Sequence, residues 1–222
     1  MGKLIVIEGA CDGVGKTTQY ILLKEKLISN GEIVTSHHFP SYNTYHGLPV
    51  EKYLKGEFGL INELSPYFIN NLYATDRAIT WYTELKEKYN KGETILLDRY
   101  TTSSLIYQSA LISDEIKKKD FIDYVIDFEY NRLGIKMPDD VMFLFASFDL
   151  LTEIRNRRKN NEGISNDIHE RDIEFMKKVY ESSMFVAEYL KWSKIDCSSG
   201  NNMKSINEIH EEICKSLKIK LL

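Results

Sequence analysis

The sequence predicts an α/β fold in which a parallel sheet is covered by helices. Short apolar runs of strand length alternate with longer stretches of helical pattern along the 222 residues, and this alternation is typical of βαβ units. A glycine-containing loop joins the first apolar run to the first helical stretch, which is a second sign of this class. The length suits one domain, residues 1–222, built around a single sizeable core.

Five strands are expected, and each is a short apolar run next to a helical stretch. The clearest is the first, because Leu4-Ile5-Val6-Ile7 has no polar residue and suits a strand that is buried on both faces. The five predicted strands are residues 3–7, 32–37, 94–97, 141–146 and 194–197.

The predicted helices have recognisable start and stop signals. Asn30-Gly31 ends the first helix, and Ser65-Pro66 supplies an N-cap and a first helical residue for the second. A polar loop separates the fifth and sixth helices. The predicted helices are residues 17–28, 66–89, 101–112, 118–133, 150–159, 172–190 and 206–217.

Charge and composition exclude several classes of protein. The net charge is −4, whereas a nucleic-acid-binding protein usually has a basic excess, so no nucleic-acid partner is expected. The first apolar run is too short for a signal sequence or a membrane span. The three cysteines, Cys11, Cys197 and Cys214, are odd in number and widely spaced, which favours neither disulfides nor a zinc site. A cytoplasmic location without a membrane partner is therefore expected.

The loop after the first strand has the features of a phosphate-binding loop. Gly15-Lys16-Thr17 opens the following helix, so backbone N–H groups and the positive end of the helix face a polyphosphate. Lys16 is expected to be an exposed loop residue that reaches the β- and γ-phosphates, and the Thr17 hydroxyl to bind Mg²⁺. The residues expected around the phosphates of ATP are Gly9, Ala10, Cys11, Gly13, Val14, Gly15, Lys16, Thr17 and Thr18.

The loop departs from the usual pattern at one position. A glycine is expected five residues before Gly15, but this position is Ala10, and Gly9 lies one residue too early. Either Ala10 replaces the first glycine, or the loop is one residue longer than usual.

The third strand ends in a charged pair, Asp98-Arg99. Ligands bind at the carboxyl ends of the strands in open α/β sheets, so Asp98 is a second candidate for Mg²⁺ and Arg99 for a phosphate. Phosphoryl transfer depends mainly on positioning and electrostatics, which gives Arg99 a catalytic role. A GTPase is not favoured, because no Asn-Lys-x-Asp segment is found.

Motifs spread over most of the chain resemble those of the thymidylate kinase family. Asp-Arg-Tyr followed by Ser-Ser-x-x-Tyr-Gln is fairly specific to this family, and the motifs are most similar to those of bacterial members. The matching segments are Ile7-Glu8-Gly9, Asp12 to Gln19, Phe39-Pro40-Ser41-Tyr42, Tyr73-Ala74-Thr75-Asp76-Arg77, Asp98 to Gln108, Pro138-Asp139-Asp140-Val141 and an arginine-rich region near residues 155–171.

The resemblance implies a fold and a reaction. The fold is the three-layer fold of P-loop nucleoside-monophosphate kinases, with a five-stranded parallel sheet, helices on both faces and a mobile lid at about residues 155–171. The reaction is the transfer of the γ-phosphoryl group of ATP to dTMP, giving ADP and dTDP for dTTP synthesis. A homodimer packed through helices is also implied.

Several residues are candidates for binding dTMP. Tyr73 and Arg77 share a helical face, where the ring can stack on a pyrimidine and the guanidinium can lie near its phosphate. A core tyrosine with a surface arginine is the alternative. A second helical face also carries hydroxyl and amide groups that can read thymine, although it could equally be a solvated face. The residues of this second face are Ser104, Tyr107 and Gln108, and the neighbouring Ser103 is a further candidate.

Other roles come from the resemblance alone. Tyr107 is expected to disfavour a 2′-hydroxyl, and the carboxylate matching Asp12 contacts the deoxyribose 3′-hydroxyl in relatives, although Asp-Gly is also a common turn pair. Phe39 and Tyr42 follow the second strand, where the family uses an aromatic ring against the base. Many relatives have an arginine at the position of Ser41, which puts phosphate contacts from this segment in doubt.

The charge at the transition state is expected from the lid, because the loop from Ala10 to Val14 contains no basic residue. Arg155 and Arg158 are three apart and share a helical face with Leu151, whereas Arg157 points elsewhere. Arg155 and Arg158 are therefore the candidate catalytic arginines.

Two other functions stay open from the residues. A deoxynucleoside kinase would share the phosphate loop, but a carboxylate base is expected just after its second strand, where this chain has Phe39-Pro40-Ser41-Tyr42. A nucleotide-binding switch would bind ATP without turnover that depends on an acceptor.

Overall fold

The computed structural model describes residues 1–162 and 173–219, with only the backbone of residues 158–162. Much of the expected lid therefore lies outside the described residues. The strands are β1 (Lys3–Gly9), β2 (Val34–His38), β3 (Thr94–Asp98), β4 (Asp140–Phe145), β5 (Ser193–Asp196), β6 (Ser198–Ser199) and β7 (Asn202–Met203).

The first five strands form one parallel sheet in the order β2-β3-β1-β4-β5. All five correspond to the strands expected from the sequence, with ends that differ by one or two residues. The remaining two form a small antiparallel hairpin that was not expected. His38 pairs with Asp98 at the end of β2 and β3, so both residues reach the carboxyl edge of the sheet.

The helices are α1 (Lys16–Ser29), α2 (Leu48–Leu54), α3 (Pro66–Thr80), α4 (Lys86–Asn90), α5 (Thr101–Tyr107), α6 (Glu115–Ile126), α7 (Phe148–Glu162), α8 (Ile173–Tyr189) and α9 (Ile206–Ser216). Ser65 caps α3, where its side chain accepts a hydrogen bond from the N–H of Tyr67. Among the described residues, no helix is both long and apolar enough to cross a membrane.

Three predicted helices are less regular than expected, and one helix was missed. A π-helical turn, Trp81–Leu85, joins α3 to α4, and another, Asp127–Arg132, extends α6. The helix expected to reach residue 112 ends at Tyr107 and continues as a 3₁₀ turn, Ser109–Leu111. The Ser109 hydroxyl donates to backbone carbonyls of the preceding turn, which is a common accompaniment of a distorted helix. The missed helix, α2, is only seven residues long.

Apolar side chains leave the central strand towards both faces of the sheet. Ile5 and Ile7 pack in a cluster with residues of α1 and α9, whereas Leu4 and Val6 pack in a cluster with the helix that runs from α3 to α4. Because successive strand residues point to opposite faces, the apolar run Leu4-Ile5-Val6-Ile7 has a helical layer on each side. The carboxyl edge of the sheet stays open between these layers.

Candidate functional site

The phosphate loop runs from the end of β1 at Gly9 to the start of α1 at Lys16. A Cβ atom on Gly9 would lie 2.8 Å from Cγ1 of Val14, so this position requires glycine. Ala10 carries its Cβ in a buried position, and its N–H donates to the carbonyl of Leu144. Gly9 therefore takes the place of the first glycine, and the loop is one residue longer than usual.

Lys16 is not the exposed residue that the sequence indicated. It is the first residue of α1, its side chain is only 10% exposed, and its ammonium group forms an ion pair with Asp98. Burial, together with the nearby charge of Arg99, lowers the pKa of Lys16. The ammonium group thus lies at the loop with a carboxylate as its partner.

Both carboxylate oxygens of Asp98 have partners. Oδ1 pairs with Lys16, and Oδ2 lies 3.0 Å from Nδ1 of His38. Burial alone would raise the pKa of Asp98, but the hydrogen bond with His38 and the charge of Lys16 lower it to about 2. Asp98 is therefore an anion in the cavity.

The donor set fits a magnesium ion in part. Thr17 is exposed at the start of α1, and both Thr17 and the ionised Asp98 line the same cavity, so hydroxyl and carboxylate oxygens suited to Mg²⁺ are present. No group of three or more histidine, cysteine, aspartate or glutamate residues within the described ranges could hold a metal by itself, so the phosphates of the nucleotide would have to complete the coordination.

Arg99 is held over the cavity by its backbone and by two carboxylates. Its φ of 64° lies in the left-handed region, which is uncommon for a residue with a side chain and is often found at functional sites. Its guanidinium lies 2.9 Å from Oδ1 of Asp12 and 3.8 Å from Oε1 of Glu8, and 5.6 Å from the ring centre of Tyr107. A preorganised cation thus stands next to the phosphate loop.

Glu8 is a residue of the site whose role the sequence did not reveal. It is fully buried, and its carboxylate accepts hydrogen bonds from Thr102, Ser103 and the N–H of Gly9. It connects the phosphate loop to the start of α5. A charged residue at the end of an apolar strand was the available signal.

A cavity of about 310 Å³ opens at the carboxyl edge of the sheet. It brings together most of the residues singled out in the sequence as acceptor-binding, catalytic or metal-binding. These are Asp12, Lys16, Thr17, Phe39, Tyr42, Tyr73, Arg77, Asp98, Arg99, Ser103, Ser104, Tyr107 and Gln108. Sequence reasoning missed His38, Pro40, Leu54, Tyr100 and Met176, which come from four separate parts of the chain.

Arg77 is buried against a carboxylate, so it is not the surface arginine that was the alternative. Its guanidinium is buried, makes two 2.7 Å contacts with Glu129 and donates to the Ser104 hydroxyl at 2.9 Å. It therefore sits with Ser104, and Glu129 neutralises its charge, because a buried guanidinium needs a carboxylate partner. A contact of Arg77 with the substrate phosphate stays a prediction.

An unpaired amide oxygen belongs to another residue that lines the cavity. Gln108 is buried, and its Oε1 has no hydrogen-bond partner among the described residues. A buried acceptor without a partner costs free energy unless a ligand or water supplies a donor. Gln108 therefore has an unused acceptor, which a small movement of its side chain would offer to a ligand.

Ser41 is enclosed and offers no phosphate contact from its side chain. It is 5% exposed, and its hydroxyl lies 2.9 Å from Nε2 of His37 and 3.2 Å from the Thr80 hydroxyl. A long cationic side chain would not fit this polar contact without rearrangement.

The neighbouring histidines His37 and His38 point to different sides of the strand, as expected: His37 contacts Ser41, whereas His38 contacts Asp98.

Arg155 lies close to the phosphate loop. Ile154 of the same helix would contact a Cβ on Gly13 at 3.5 Å, and the charge of Arg155 acts on the Cys11 thiol, whose pKa burial raises to about 12. The Nε of Arg155 is buried without a hydrogen-bond partner in the described part of the chain, whereas Arg157 is exposed and paired with Glu153. The side chain of Arg158 lies outside the described residues.

Comparisons with known proteins all give one family description. Residues 7–213 match the family model described as "Thymidylate kinase". A thymidylate kinase of Plasmodium falciparum is 30% identical over 99% of this chain and 92% of its own length, and one of Prochlorococcus marinus is 33% identical over 96% and 95%. A probable thymidylate kinase of Saccharolobus solfataricus is 32% identical over the full length of both chains.

Two solved structures share the fold. The thymidylate kinase of Candida albicans has a TM-score of 0.72 at 23% identity, with 98% of this chain and 92% of the other covered. That of Ehrlichia chaffeensis has a TM-score of 0.66 at 21% identity, with 97% and 98% covered. The relatives come from eukaryotes, archaea and bacteria at similar identity, so the expected bacterial type is not supported.

Proposed function

Because this chain belongs to the thymidylate kinase family, we propose that its 310 Å³ cavity binds dTMP while its phosphate loop binds ATP. The enzyme transfers the γ-phosphoryl group of ATP to dTMP, giving ADP and dTDP. The observation that carries the assignment of the cavity is that Lys16, Arg99 and Gln108 all line it. One cavity thus contains a cation of the phosphate loop, a preorganised guanidinium and an acceptor for a base.

On the donor side, we propose that Lys16 exchanges one anion for another. It is paired with Asp98 in the structure, and the phosphates of ATP would replace this carboxylate as its partner. Thr17 and the released oxygen of Asp98 would then hold Mg²⁺ together with the phosphates. The ion would supply charge neutralisation to the phosphates, and the N–H groups of the loop, with the start of α1, would bind phosphate oxygens.

On the acceptor side, Arg99 would bind the phosphate of dTMP and stabilise the charge that develops during transfer. Its contacts with Asp12 and Glu8 orient it before the substrate arrives, so little reorganisation is needed in the transition state. Asp12 is half-exposed at the cavity, which suits a contact with the deoxyribose 3′-hydroxyl.

The other end of the cavity suits a thymine ring. The unpaired Oε1 of Gln108 can accept a hydrogen bond from N3–H of the base, and the Arg77 and Ser104 pair offers donors for a carbonyl oxygen. Phe39 and Tyr73 supply aromatic walls, with Tyr42, Ser103 and Tyr107 in the same lining. Tyr107 is tied to Arg99 through the ring contact, so it would place the sugar relative to the phosphate.

Arg155 is proposed to supply positive charge to the transferring phosphoryl group. Its buried Nε without a partner lies on a helix that packs against the phosphate loop. Arg158 remains a second candidate, since both residues are on the helical face that contains the buried Leu151.

We also propose a homodimer. Tyr67, Phe68 and Tyr124 are each 38–43% exposed, and the rings of Tyr67 and Tyr124 are 4.8 Å apart, so α3 and α6 present a joint aromatic surface. A surface of this kind marks an interaction site when it is contiguous. Light scattering should give the mass of two chains, and Tyr124→Glu should give that of one.

The experiment that tests the reaction is an ADP-release assay with and without dTMP. ADP release should require dTMP and exceed the rates with thymidine, AMP and GMP. Faster turnover with thymidine would favour the deoxynucleoside kinase, in which a sugar hydroxyl is the acceptor. ATP binding without acceptor-dependent turnover would favour the switch.

A further inference from the structure

A buried carboxylate–imidazole pair lies behind one wall of the cavity. Oδ1 of Asp76 is 2.7 Å from Nδ1 of His46, and the two residues are 1% and 5% exposed. Neither residue lines the cavity. We propose that this pair positions the loop of residues 39–47 and thereby sets the affinity of the enzyme for dTMP; the inference rests on the proposed acceptor site.

The second oxygen of Asp76 holds the loop at the point where it faces the cavity. Oδ2 accepts a hydrogen bond of 2.8 Å from the N–H of Ser41. Ser41 lies between Pro40 and Tyr42, and both of these residues line the cavity. The carboxylate therefore fixes the backbone of the loop directly between two lining residues.

The same carboxylate belongs to the helix that forms the opposite wall. Tyr73 and Arg77 of α3 line the cavity and flank Asp76 in the sequence. A second tie is the 3.2 Å contact between the hydroxyls of Ser41 and Thr80, one turn further along the helix. Asp76 thus links the loop wall to the helix wall, and the distance between the walls depends on it.

Internal bonds make the loop move as one unit. The Thr44 hydroxyl donates to the carbonyl of Ser41 at 2.6 Å and accepts from the N–H of Gly47 at 3.0 Å. Gly47 approaches the loop so closely that a Cβ atom would lie 2.0 Å from the carbonyl oxygen of Ser41. Loss of the Asp76 anchor would therefore displace the whole segment relative to α3 rather than loosen one residue.

The chemistry of the pair suggests a conservative replacement that keeps the anchor. In Asp76→Asn, the amide oxygen can accept from the N–H of Ser41 while the amide nitrogen donates to Nδ1 of a neutral His46. Asp76→Ala removes both bonds. A positioning role therefore predicts that asparagine restores what alanine loses.

The test is steady-state kinetics of these two variants with each substrate varied in turn. Asp76→Ala should raise the KM for dTMP by about 10–100-fold, as expected for loss of charge-assisted hydrogen bonds that hold the site, and change the KM for ATP by less than about twofold. Asp76→Asn should stay within about threefold of the wild type for both substrates. Asp120→Ala, which removes an exposed carboxylate of α6, is the matched control and should change neither.

An unchanged KM for dTMP in Asp76→Ala, or an equal rise in both KM values, would overturn the positioning role. Should Asp76→Ala fail to fold, His46→Ala removes only one of the two bonds, and an unchanged KM for dTMP in that variant would overturn it as well. Wild-type turnover with dTMP, measured first, tests the proposed function separately. If that turnover is absent, calorimetry gives the Kd for dTMP of the wild type and of each variant. The ratio of these Kd values then replaces the ratio of KM values in the same test.

Discussion

Replacing Lys16 separates catalysis from stability. Lys16→Ala removes the ammonium group that would bind the phosphates of ATP and also leaves Asp98 with His38 as its remaining partner. Loss of a preorganised charge at a developing anion should lower turnover by more than about a hundredfold. The question is whether unfolding could explain such a loss.

The stability cost follows from the pKa of Asp98. This pKa is lowered from 3.8 to about 2, which corresponds to about 2 kcal/mol of stability at neutral pH. Lys16 provides only part of this stabilisation, because His38 also contributes. Burial of the Lys16 charge, which lowers the pKa of Lys16, offsets some of the contribution of Lys16. Lys16→Ala should therefore reduce the free energy of unfolding by about 1 kcal/mol, which leaves most of a typical 5–15 kcal/mol.

The same pair predicts a dependence on pH. Because the pKa of Asp98 is lower in the folded protein, the contribution of Asp98 is complete above about pH 4 and is lost as the pH falls towards 2. Wild-type stability should decrease over this interval more than that of Lys16→Ala.

Two measurements check the reasoning on Lys16. Urea denaturation at pH 7 and at low pH gives the stabilities, and ADP release with dTMP gives the turnover. Lys52→Ala, which breaks an exposed ion pair, is the control and should leave both nearly unchanged. Near-normal turnover in Lys16→Ala would refute the phosphate-loop assignment, and extensive unfolding at pH 7 would refute the stability argument.

The base pocket, the lid helix and the buried ion pair can each be tested by substitution. Gln108→Ala should raise the KM for dTMP more than the KM for ATP. The kcat/KM for dUMP should be lower than that for dTMP by the equivalent of about 1–3 kcal/mol, because dUMP lacks a methyl group. An acceptor panel in which AMP or GMP is the best substrate would contradict both expectations. Arg155→Ala should lower kcat by roughly a thousandfold with little change in the KM for dTMP, as expected for loss of a transition-state arginine. Arg157→Ala is the control and should have a minor effect. Equal small losses in both variants, measured by single-turnover kinetics, would show that the charge comes from another residue. Glu129→Gln should lower the free energy of unfolding, measured by urea denaturation, by about 3–5 kcal/mol because it leaves the buried guanidinium of Arg77 without its anion. Glu153→Gln, which changes the exposed partner of Arg157, is the control. Equal losses in the two variants would show that the charge of Arg77 is balanced in another way.

Local patterns were sufficient for the elements that a short stretch of chain determines. The apolar run at residues 4–7 predicted the central strand, and Ser65-Pro66 predicted the start of α3, because both depend on neighbouring residues alone. The phosphate loop was recognised for the same reason. Its length was left open, since only the 2.8 Å approach of a Cβ on Gly9 to Val14 distinguishes the two alternatives.

Helix irregularities could not be predicted in this way. The π-helical turns at Trp81–Leu85 and Asp127–Arg132 follow stretches that are regular in sequence, and periodicity carries no signal for one additional residue in a turn. The short α2 was missed because seven residues offer too few periods to distinguish from a loop.

The sequence by itself determined the fold class, the family and most residues of the cavity, because these depend on motifs that stay together in the chain. Partners that are distant in sequence were decided by the tertiary structure alone. Arg77 has as its partner Glu129, more than fifty residues away, which neutralises it beside Ser104. Lys16 was expected to be exposed, but the parallel pairing of β1 with β3 brings Asp98 next to the loop. A charged side chain takes its role from the charge nearest to it in space, and only the packing of the sheet and helices decides which charge that is.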